Sequence, residues 1–151
     1  MTPFTARTVT LSGSLAVAAT VEDAFPLFSP HGERRWVPGW DPEVIHPPES
    51  EWRQDQVFRT REEKGDAFWV ISRLDRARHT VDYHRIEPGR YVAHVSVRCE
   101  ATSPGTTLVT VAYSFVGLSE SGNDEVAAMT QAEYDKKMGR WSNWIAAAIE
   151  T

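Results

Sequence analysis

Four polar side chains lie on faces of predicted elements that are otherwise apolar. Tyr83 and Arg85 share one face of the predicted strand TVDYHRIE, and Tyr113 shares a face of TLVTVAYSF with valines. Glu133 interrupts the apolar stripe of the C-terminal segment. Because a few polar groups in an apolar pocket orient a bound small molecule, we predict that these side chains face a pocket. The tyrosines could also donate a hydrogen bond or a proton. Alternatively, Arg85 and Glu133 extend to solvent or pair with each other.

The histidines and the single cysteine form no catalytic or metal-binding pattern. His79, His84 and His94 fall on two neighbouring predicted strands, but the odd interval from His79 to His84 places these two on opposite faces. We expect solvent-facing histidines or cross-strand pairs, and no metal site. Cys99 shares the predicted interior face with valines, where burial makes a thiol unreactive. No Gly-x-Ser-x-Gly sequence or phosphate-binding loop is present, so we expect no cofactor.

Two tryptophans stand in a stretch that lacks a regular element of its own. The sequence HGERRWVPGWDPEVIHPP (31–48) contains Trp36 and Trp40 together with four prolines. Prolines at this density rule out a long helix and interrupt most strands. A tryptophan ring nevertheless has a large apolar surface that usually needs cover. The two rings must therefore pack against elements formed by other parts of the chain.

The first half of the chain changes from strand to helix and back to strand. Residues 7–17 alternate polar and apolar side chains, which predicts a half-buried strand. Thr20 then begins a helix-start pattern, and Pro26 limits this helix. Six further strands are predicted from Val44 onward: EVIHP, QVFRTREE, AFWVISRLDR, HTVDYHRIE, RYVAHVSVRCEAT and TLVTVAYSFVGLS. The loops between the last strands are short and contain glycine, so consecutive strands are antiparallel neighbours.

The last segment, roughly residues 120–149, changes to helical spacing with one broad apolar face, and Ser119 or Ser121 can cap its start. A curved sheet and an amphipathic helix each have an apolar side, and these can cover each other. We therefore predict an α+β fold in which a seven-stranded antiparallel sheet wraps around a long C-terminal helix. Two short helices lie between strands 1 and 2. A cavity is left wherever the sheet and the helix do not meet.

Length and composition limit the class of protein. With 151 residues, 41% hydrophobic and 25% charged, the chain is predicted to form one globular domain, residues 1–151. A net charge of −5 without a basic stripe argues against nucleic acid as a partner. No apolar run approaches the ~20 residues that span a bilayer, so we expect no membrane insertion. The single cysteine fits a reducing compartment, and we predict a cytoplasmic protein.

The order of elements resembles the START-like, or SRPBCC, superfamily, whose helix-grip fold is shared by the birch-pollen allergen, polyketide cyclases and lipid-transfer domains. VEDAFPLFSPHGERRWVPGWDPEVIHP is similar to the helix–loop–strand region of one bacterial branch. VRCEATSPGTTLVTVAYSFVGLSESGN, followed by RWSNWI, is similar to its last hairpin and C-terminal helix. The resemblance implies that the loop after the short helices closes one end of a cavity between sheet and helix. Trp36 and Trp40 would then be wall or lid of this cavity, or else fill the end of the sheet as ordinary core.

Three functions are compatible with this fold, because the superfamily implies no fixed catalytic motif. The first, which we favour, is binding of a hydrophobic or aromatic small molecule, lipid-like or polyketide-like, by a monomer or homodimer. A pocket without polar residues would favour this function. The second is an enzyme similar to polyketide cyclases, aromatases or hydratases, which a buried Tyr–Glu or Tyr–Arg pair would favour. The third is a protein-interaction module similar to chaperone activators, which a filled interior would favour. The predicted cavity wall consists of Trp36, Trp40, Trp69, Tyr113, Met129 and Trp141.

Overall fold

The computed structural model describes residues 3–150, which form a seven-stranded antiparallel sheet, three α-helices and two 3-10 turns. In chain order the elements are β1 (Thr8–Val17), α1 (Val21–Ala24), the 3-10 turns Phe25–Phe28 and Gly32–Arg35, β2 (Glu43–His46), β3 (Val57–Glu62), β4 (Gly65–Asp75), β5 (Thr80–Glu87), β6 (Tyr91–Ser103), β7 (Thr106–Gly117), α2 (Glu120–Ala127) and α3 (Gln131–Ile149). The strands lie side by side in the order β1-β7-β6-β5-β4-β3-β2. The predicted sheet, short helices and long C-terminal helix are confirmed.

Helix α3 packs closely against β1. A Cβ atom at Gly13 of β1 would lie 3.1 Å from Met138 and 3.3 Å from Tyr134 of α3, so the glycine permits the close approach. The Tyr134 hydroxyl donates a hydrogen bond to the Val111 carbonyl of β7 at 2.6 Å. Further along the same helix face, Ile145 is fully buried. One face of α3 thus lies on the inner side of the sheet along most of its length.

Two rows of side chains cross the inner face of the sheet, because every second residue of a strand points to the same side. The first row consists of Phe58, Trp69, Arg85, Ala93 and Phe115. The neighbouring row consists of Ile71, Tyr83, Val95, Tyr113 and Leu11. The register thus places Arg85 beside the short side chain of Ala93, which leaves room for the guanidinium group. It also pairs Trp69 of β4 with Arg85 of β5 and places Tyr113 of β7 on the same face, with β6 between β5 and β7.

The short helices close one end of the sheet. The Thr20 side chain accepts a hydrogen bond from the Asp23 amide at 3.3 Å, as the helix-start pattern predicts. Pro26 lies in the 3-10 turn that follows directly, so α1 is only four residues long. Leu27 and Phe28 of this turn are buried in the core. The chain therefore turns back over the end of the sheet before it reaches the tryptophan-containing loop.

The C-terminal helical segment is broken, whereas the sequence predicts one helix over roughly residues 120–149. Helix α2 ends at Ala127, and α3 begins at Gln131. Thr130 starts the second helix as its cap, since its side chain accepts a hydrogen bond from the Glu133 amide at 3.2 Å. Ser119 caps α2 in the same way. Among residues 3–150, no helix has both the length and the apolar character needed to cross a bilayer.

The histidine pair on the outer face of the sheet and the buried cysteine lie where the sequence predicts, but His79 does not. His84 and His94 form a cross-strand pair with stacked rings 4.8 Å apart, and His94 lies 3.6 Å from Asp82. Cys99 is buried on the inner face, and burial raises the pKa of its thiol to about 12. The thiol is therefore unreactive at neutral pH. His79, in contrast, lies in the turn before β5 with a φ of 56° and not on a strand, so strand alternation does not apply to it.

Candidate ligand-binding cavity

A cavity of about 400 Å³ lies between the inner face of the sheet and α3. The loop after the second 3-10 turn forms one side, β3, β4, β5 and β7 form the floor, and α3 forms the other side. Five of the residues that the sequence predicts for the site line it: Trp40, Trp69, Arg85, Tyr113 and Trp141. Glu33 and Lys137 also line it, and the sequence prediction did not include them. The cavity thus combines aromatic walls with charged groups.

The aromatic wall is held in place by hydrogen bonds and ring contacts. Trp69 stacks on Phe58 at 5.5 Å and donates its indole N–H to the Thr60 hydroxyl at 3.0 Å. Trp40 contacts the Trp69 ring edge to face at 5.6 Å and donates to the Pro30 carbonyl at 2.8 Å. Both indole N–H groups are therefore satisfied by the protein. What remains available to a ligand is mainly the ring surface.

Trp36 and Tyr83 lie behind this wall and do not line the cavity. Trp36 is 4% exposed, donates its indole N–H to the Leu27 carbonyl at 2.7 Å and contacts Trp141 at 5.2 Å. Tyr83 donates its hydroxyl to the Phe28 carbonyl at 2.6 Å. Burial raises the pKa of Tyr83 well above its usual range. Both side chains therefore support the wall residues in the way that core residues do.

Arg85 is one of the cations on the cavity floor. Its guanidinium lies 5.1 Å from the centre of the Trp69 ring, 3.0 Å from Glu87 and 3.5 Å from Glu62. Its Nε is buried and has no hydrogen-bond acceptor among residues 3–150. The alternative pairing with Glu133 does not occur, because Glu133 is exposed and lies beside Lys136. Arg85 is therefore held in place by two carboxylates and the Trp69 ring.

A buried carboxylate fixes Arg85 from the end of β5. Glu87 is 2% exposed and pairs with both Arg85 and Arg90. Arg90 also donates to Glu125 of α2 at 2.9 Å, which lowers the pKa of that carboxyl group. Tyr91, at the start of β6, has a pKa raised to about 12, chiefly by burial. The ion pairs thus connect the cavity floor to α2.

Lys137 enters the cavity from α3 and packs against aromatic rings. Its Nζ lies 4.0 Å from the centre of the Tyr113 ring and 5.3 Å from that of Trp141. Burial lowers the pKa of Lys137 to about 8, and the charge of Arg85 acts in the same direction. Burial in the same cavity raises the pKa of Glu33 to about 8, against the opposing influence of Lys137. Near neutral pH, Glu33 can therefore hold a proton and Lys137 can lose one.

A second cavity of about 280 Å³ lies beside the first. Met129 and Glu133, the two remaining predicted residues, line this second cavity and not the first. Arg85, Tyr113 and Lys137 border both cavities. These three side chains therefore form the partition between the two spaces.

Lys137 and Glu33 differ in whether the sequence could have indicated that they belong to the site. Lys137 stands four residues after Glu133 in the apolar stripe of the C-terminal segment, so helical spacing could have placed it in the site. Glu33 lies in a short turn without any periodicity, and no local signal indicates that it is covered. Its position depends on the packing of the turn against α3.

These features define a helix-grip fold with a cavity between sheet and C-terminal helix, and known structures share the fold. Norcoclaurine synthase from Thalictrum flavum, solved in complex with dopamine and hydroxybenzaldehyde, is 13% identical with a TM-score of 0.67 over 94% of this chain and 88% of its own. Ara h 8.0201 is 15% identical with a TM-score of 0.68 over 96% and 100%. Major latex-like protein 151 from Panax ginseng is 16% identical with a TM-score of 0.66 over 93% and 96%. No protein-family model and no curated protein sequence matches the chain.

Proposed function

We propose that this protein binds an aromatic or otherwise hydrophobic small molecule with a polar end in the 400 Å³ cavity between sheet and α3. The observation that supports this is the wall, in which Trp40, Trp69 and Trp141 present ring surface beside charged side chains that make up half of the lining residues. The cavity volume lies within the range of roughly 300 to 1,000 Å³ that is typical of small-molecule sites. The cavity favours a small-molecule binder over an interaction module with a filled interior.

The charged groups narrow the ligand class. Arg85 and Lys137 lie on the inner part of the wall, next to the rings of Trp69 and Tyr113. A ligand with an aromatic body and an oxygen-containing end would cover the rings and place its oxygen beside the positive charges of Arg85 and Lys137. A plain acyl chain would offer no polar group to Lys137, which has no carboxylate within ion-pair distance among residues 3–150. The proposed ligand is therefore polyketide-like or phenolic in character and not a simple fatty chain.

A structural neighbour supports the same class. Norcoclaurine synthase with this fold was solved with dopamine and hydroxybenzaldehyde, which are both small aromatic compounds. At 13% identity the likeness concerns the fold, so the support for an aromatic ligand in this chain comes from the tryptophan and tyrosine wall. An enzyme that acts on such a ligand is the second candidate. The observation in its favour is the pair Glu33 and Lys137, both with a pKa of about 8 in one cavity.

We also propose a cellular compartment and an oligomeric state for the protein. A single buried cysteine is compatible with the reducing cytoplasm that we propose. The sheet ends in β1 on one side and β2 on the other. Because an edge strand can pair with a second copy, we propose either a monomer or a homodimer.

The direct test is a titration with an environment-sensitive naphthalene dye, followed by energy transfer from tryptophan. We expect saturable one-to-one binding in the roughly micromolar range. Trp40→Ala should weaken binding about tenfold, because it removes a partly buried ring of the cavity wall that packs against Trp69. Trp144→Ala is the matched control, since Trp144 is also partly buried but lines neither cavity. Absence of saturable binding to the folded wild-type protein would contradict the proposal.

A further inference from the structure

We propose that the Lys137 amine condenses reversibly with the carbonyl carbon of an aldehyde or ketone held in the cavity, and that Glu33 transfers the protons. The inference rests on the proposed function, because the carbonyl compound must first bind between Trp40, Trp69 and Trp141. It specifies the ligand as a carbonyl compound and adds a covalent step at Lys137.

The surroundings of Lys137 are those of a reactive amine and not of a structural ion pair. Its Nζ lies over the Tyr113 ring at 4.0 Å, and no carboxylate of residues 3–150 lies within ion-pair distance of it. The preceding residue, Lys136, shows the usual arrangement: it is exposed, and its Nζ lies 3.4 Å from Glu133. Two consecutive lysines on one helix therefore have opposite environments. Only Lys137 is directed into a cavity with aromatic walls.

The charges around Lys137 favour its neutral form, which is the nucleophile. Arg85 faces it from β5, Arg140 lies on the same helix, and both lower its pKa in addition to the effect of burial. Glu33, from the 3-10 turn, is the opposing influence. The resulting pKa of about 8 leaves a substantial neutral fraction near neutral pH, whereas an ordinary lysine with a pKa of about 10.4 leaves almost none.

Glu33 supplies the second requirement, a proton donor at the same pH. It lines the same cavity as Lys137, and each of the two groups affects the pKa of the other. An ordinary glutamate is ionised at neutral pH, but burial keeps Glu33 largely protonated. At neutral pH the cavity therefore holds a carboxylic acid together with an amine of which roughly a tenth is neutral.

The reaction balances without an oxidant or reductant. The Lys137 nitrogen forms a bond to the carbonyl carbon, and a proton moves from nitrogen to the former carbonyl oxygen, which gives a carbinolamine. Glu33 then protonates this hydroxyl group, and the C–O bond breaks with loss of water. The remaining N–H proton returns to the Glu33 carboxylate, so the products are one imine and one water. The reverse steps release the carbonyl compound.

Reductive trapping tests the covalent step. The folded protein is incubated with naphthaldehyde and cyanoborohydride, and the labelled site is identified by peptide mass spectrometry. The chain contains three lysines, Lys64, Lys136 and Lys137, in addition to the amino terminus. We expect one reduced probe per chain, attached to Lys137. A label distributed over all amines without preference for Lys137 would overturn the inference, and this outcome requires no variant.

Variants of Lys137, Lys136 and Glu33 test the role of each side chain in the labelling reaction. Lys137→Met should lose the rapid label, whereas Lys136→Met should retain it, because Lys136 faces solvent. Glu33→Gln should keep the site of labelling but slow imine formation about 100-fold, as loss of a general acid does. A label that persists at the same rate in folded Lys137→Met would overturn the role of Lys137, and an unchanged rate in Glu33→Gln would overturn that of Glu33.

A probe without the carbonyl group separates this inference from the proposed function. Naphthylmethanol has the same ring system as the aldehyde but cannot form an imine. Saturable binding of the alcohol without any Lys137 label from the aldehyde would leave the binding function supported and overturn the covalent step. Failure of both probes would contradict the binding function and the covalent step together.

Discussion

The two halves of α3 cover very different parts of the sheet. Its C-terminal half places Ile145, which is 1% exposed, in the hydrophobic core. Its N-terminal half places Lys137 beside an open volume of about 400 Å³ that Glu33 also borders. The filled end stabilises the fold by burying apolar surface. At the cavity end, burial disfavours the charged forms of Lys137 and Glu33, which is a cost in stability that proteins commonly tolerate at functional sites.

The largest expected effect is at the filled end. Ile145→Ala removes a side chain that is 1% exposed and should lower the free energy of unfolding by about 3 kcal/mol, because the cavity it leaves cannot fully collapse. Urea denaturation measures this loss. Dye binding by the remaining folded protein should be unchanged. Weakened binding in this variant would show that the two ends of the interior are not independent.

The next effect depends on pH and tests the cavity end. The folded pKa of Glu33 is raised from 4.5 to about 8, so the folded state holds this proton more tightly than the unfolded chain. The stability contributed by the protonated carboxyl is therefore lost as pH rises from about 4.5 to about 8. Glu33→Gln has no carboxyl group at this position, so its free energy of unfolding should not show this loss. The difference in free energy of unfolding between Glu33→Gln and wild type should therefore grow by about 2 kcal/mol from the lower to the upper end of this pH range. Urea denaturation of both proteins across this pH range measures the difference. If the free energies of unfolding of wild type and Glu33→Gln changed with pH in the same way, the assigned pKa of Glu33 would be contradicted.

The smallest expected effect compares two neighbouring lysines. Lys137→Met should raise the free energy of unfolding at neutral pH by about 1 kcal/mol, because it replaces an unfavourably buried ammonium by an apolar side chain of similar length. Lys136→Met should change stability by less than about 0.5 kcal/mol, since Lys136 is exposed. Thermal or urea denaturation of both variants gives the comparison. If Lys137→Met were as damaging as Ile145→Ala, the cavity end would behave as ordinary core.

The elements of the fold could be predicted because their signals are local. Strand alternation on β5 and β7 depends on the pleat alone, and Thr20 identifies a helix start within a few residues. The break before α3 is not predicted by hydrophobic periodicity, although its signal is also local. Thr130 and Glu133 form a capping pattern inside a stretch whose apolar spacing continues on both sides, so the periodicity alone predicts one continuous helix.

The candidate site could be predicted only in part. Alternation indicates which face Arg85 and Tyr113 occupy, but not their position relative to α3 or to the loop before β2. For this reason Met129 and Glu133 line the second cavity, while Trp36 lies behind Trp141. These placements depend on the depth at which the helix and loop pack.

By itself, the sequence determined the seven strands, their antiparallel order, the amphipathic C-terminal helix and the faces on which Arg85 and Tyr113 lie. Periodicity and turn residues specify these features over a few positions each. Only the tertiary structure decided that Glu33 and Lys137 share one cavity. They are more than one hundred residues apart in the sequence, and the environments that shift their pKa values exist only when turn, sheet and helix have packed together.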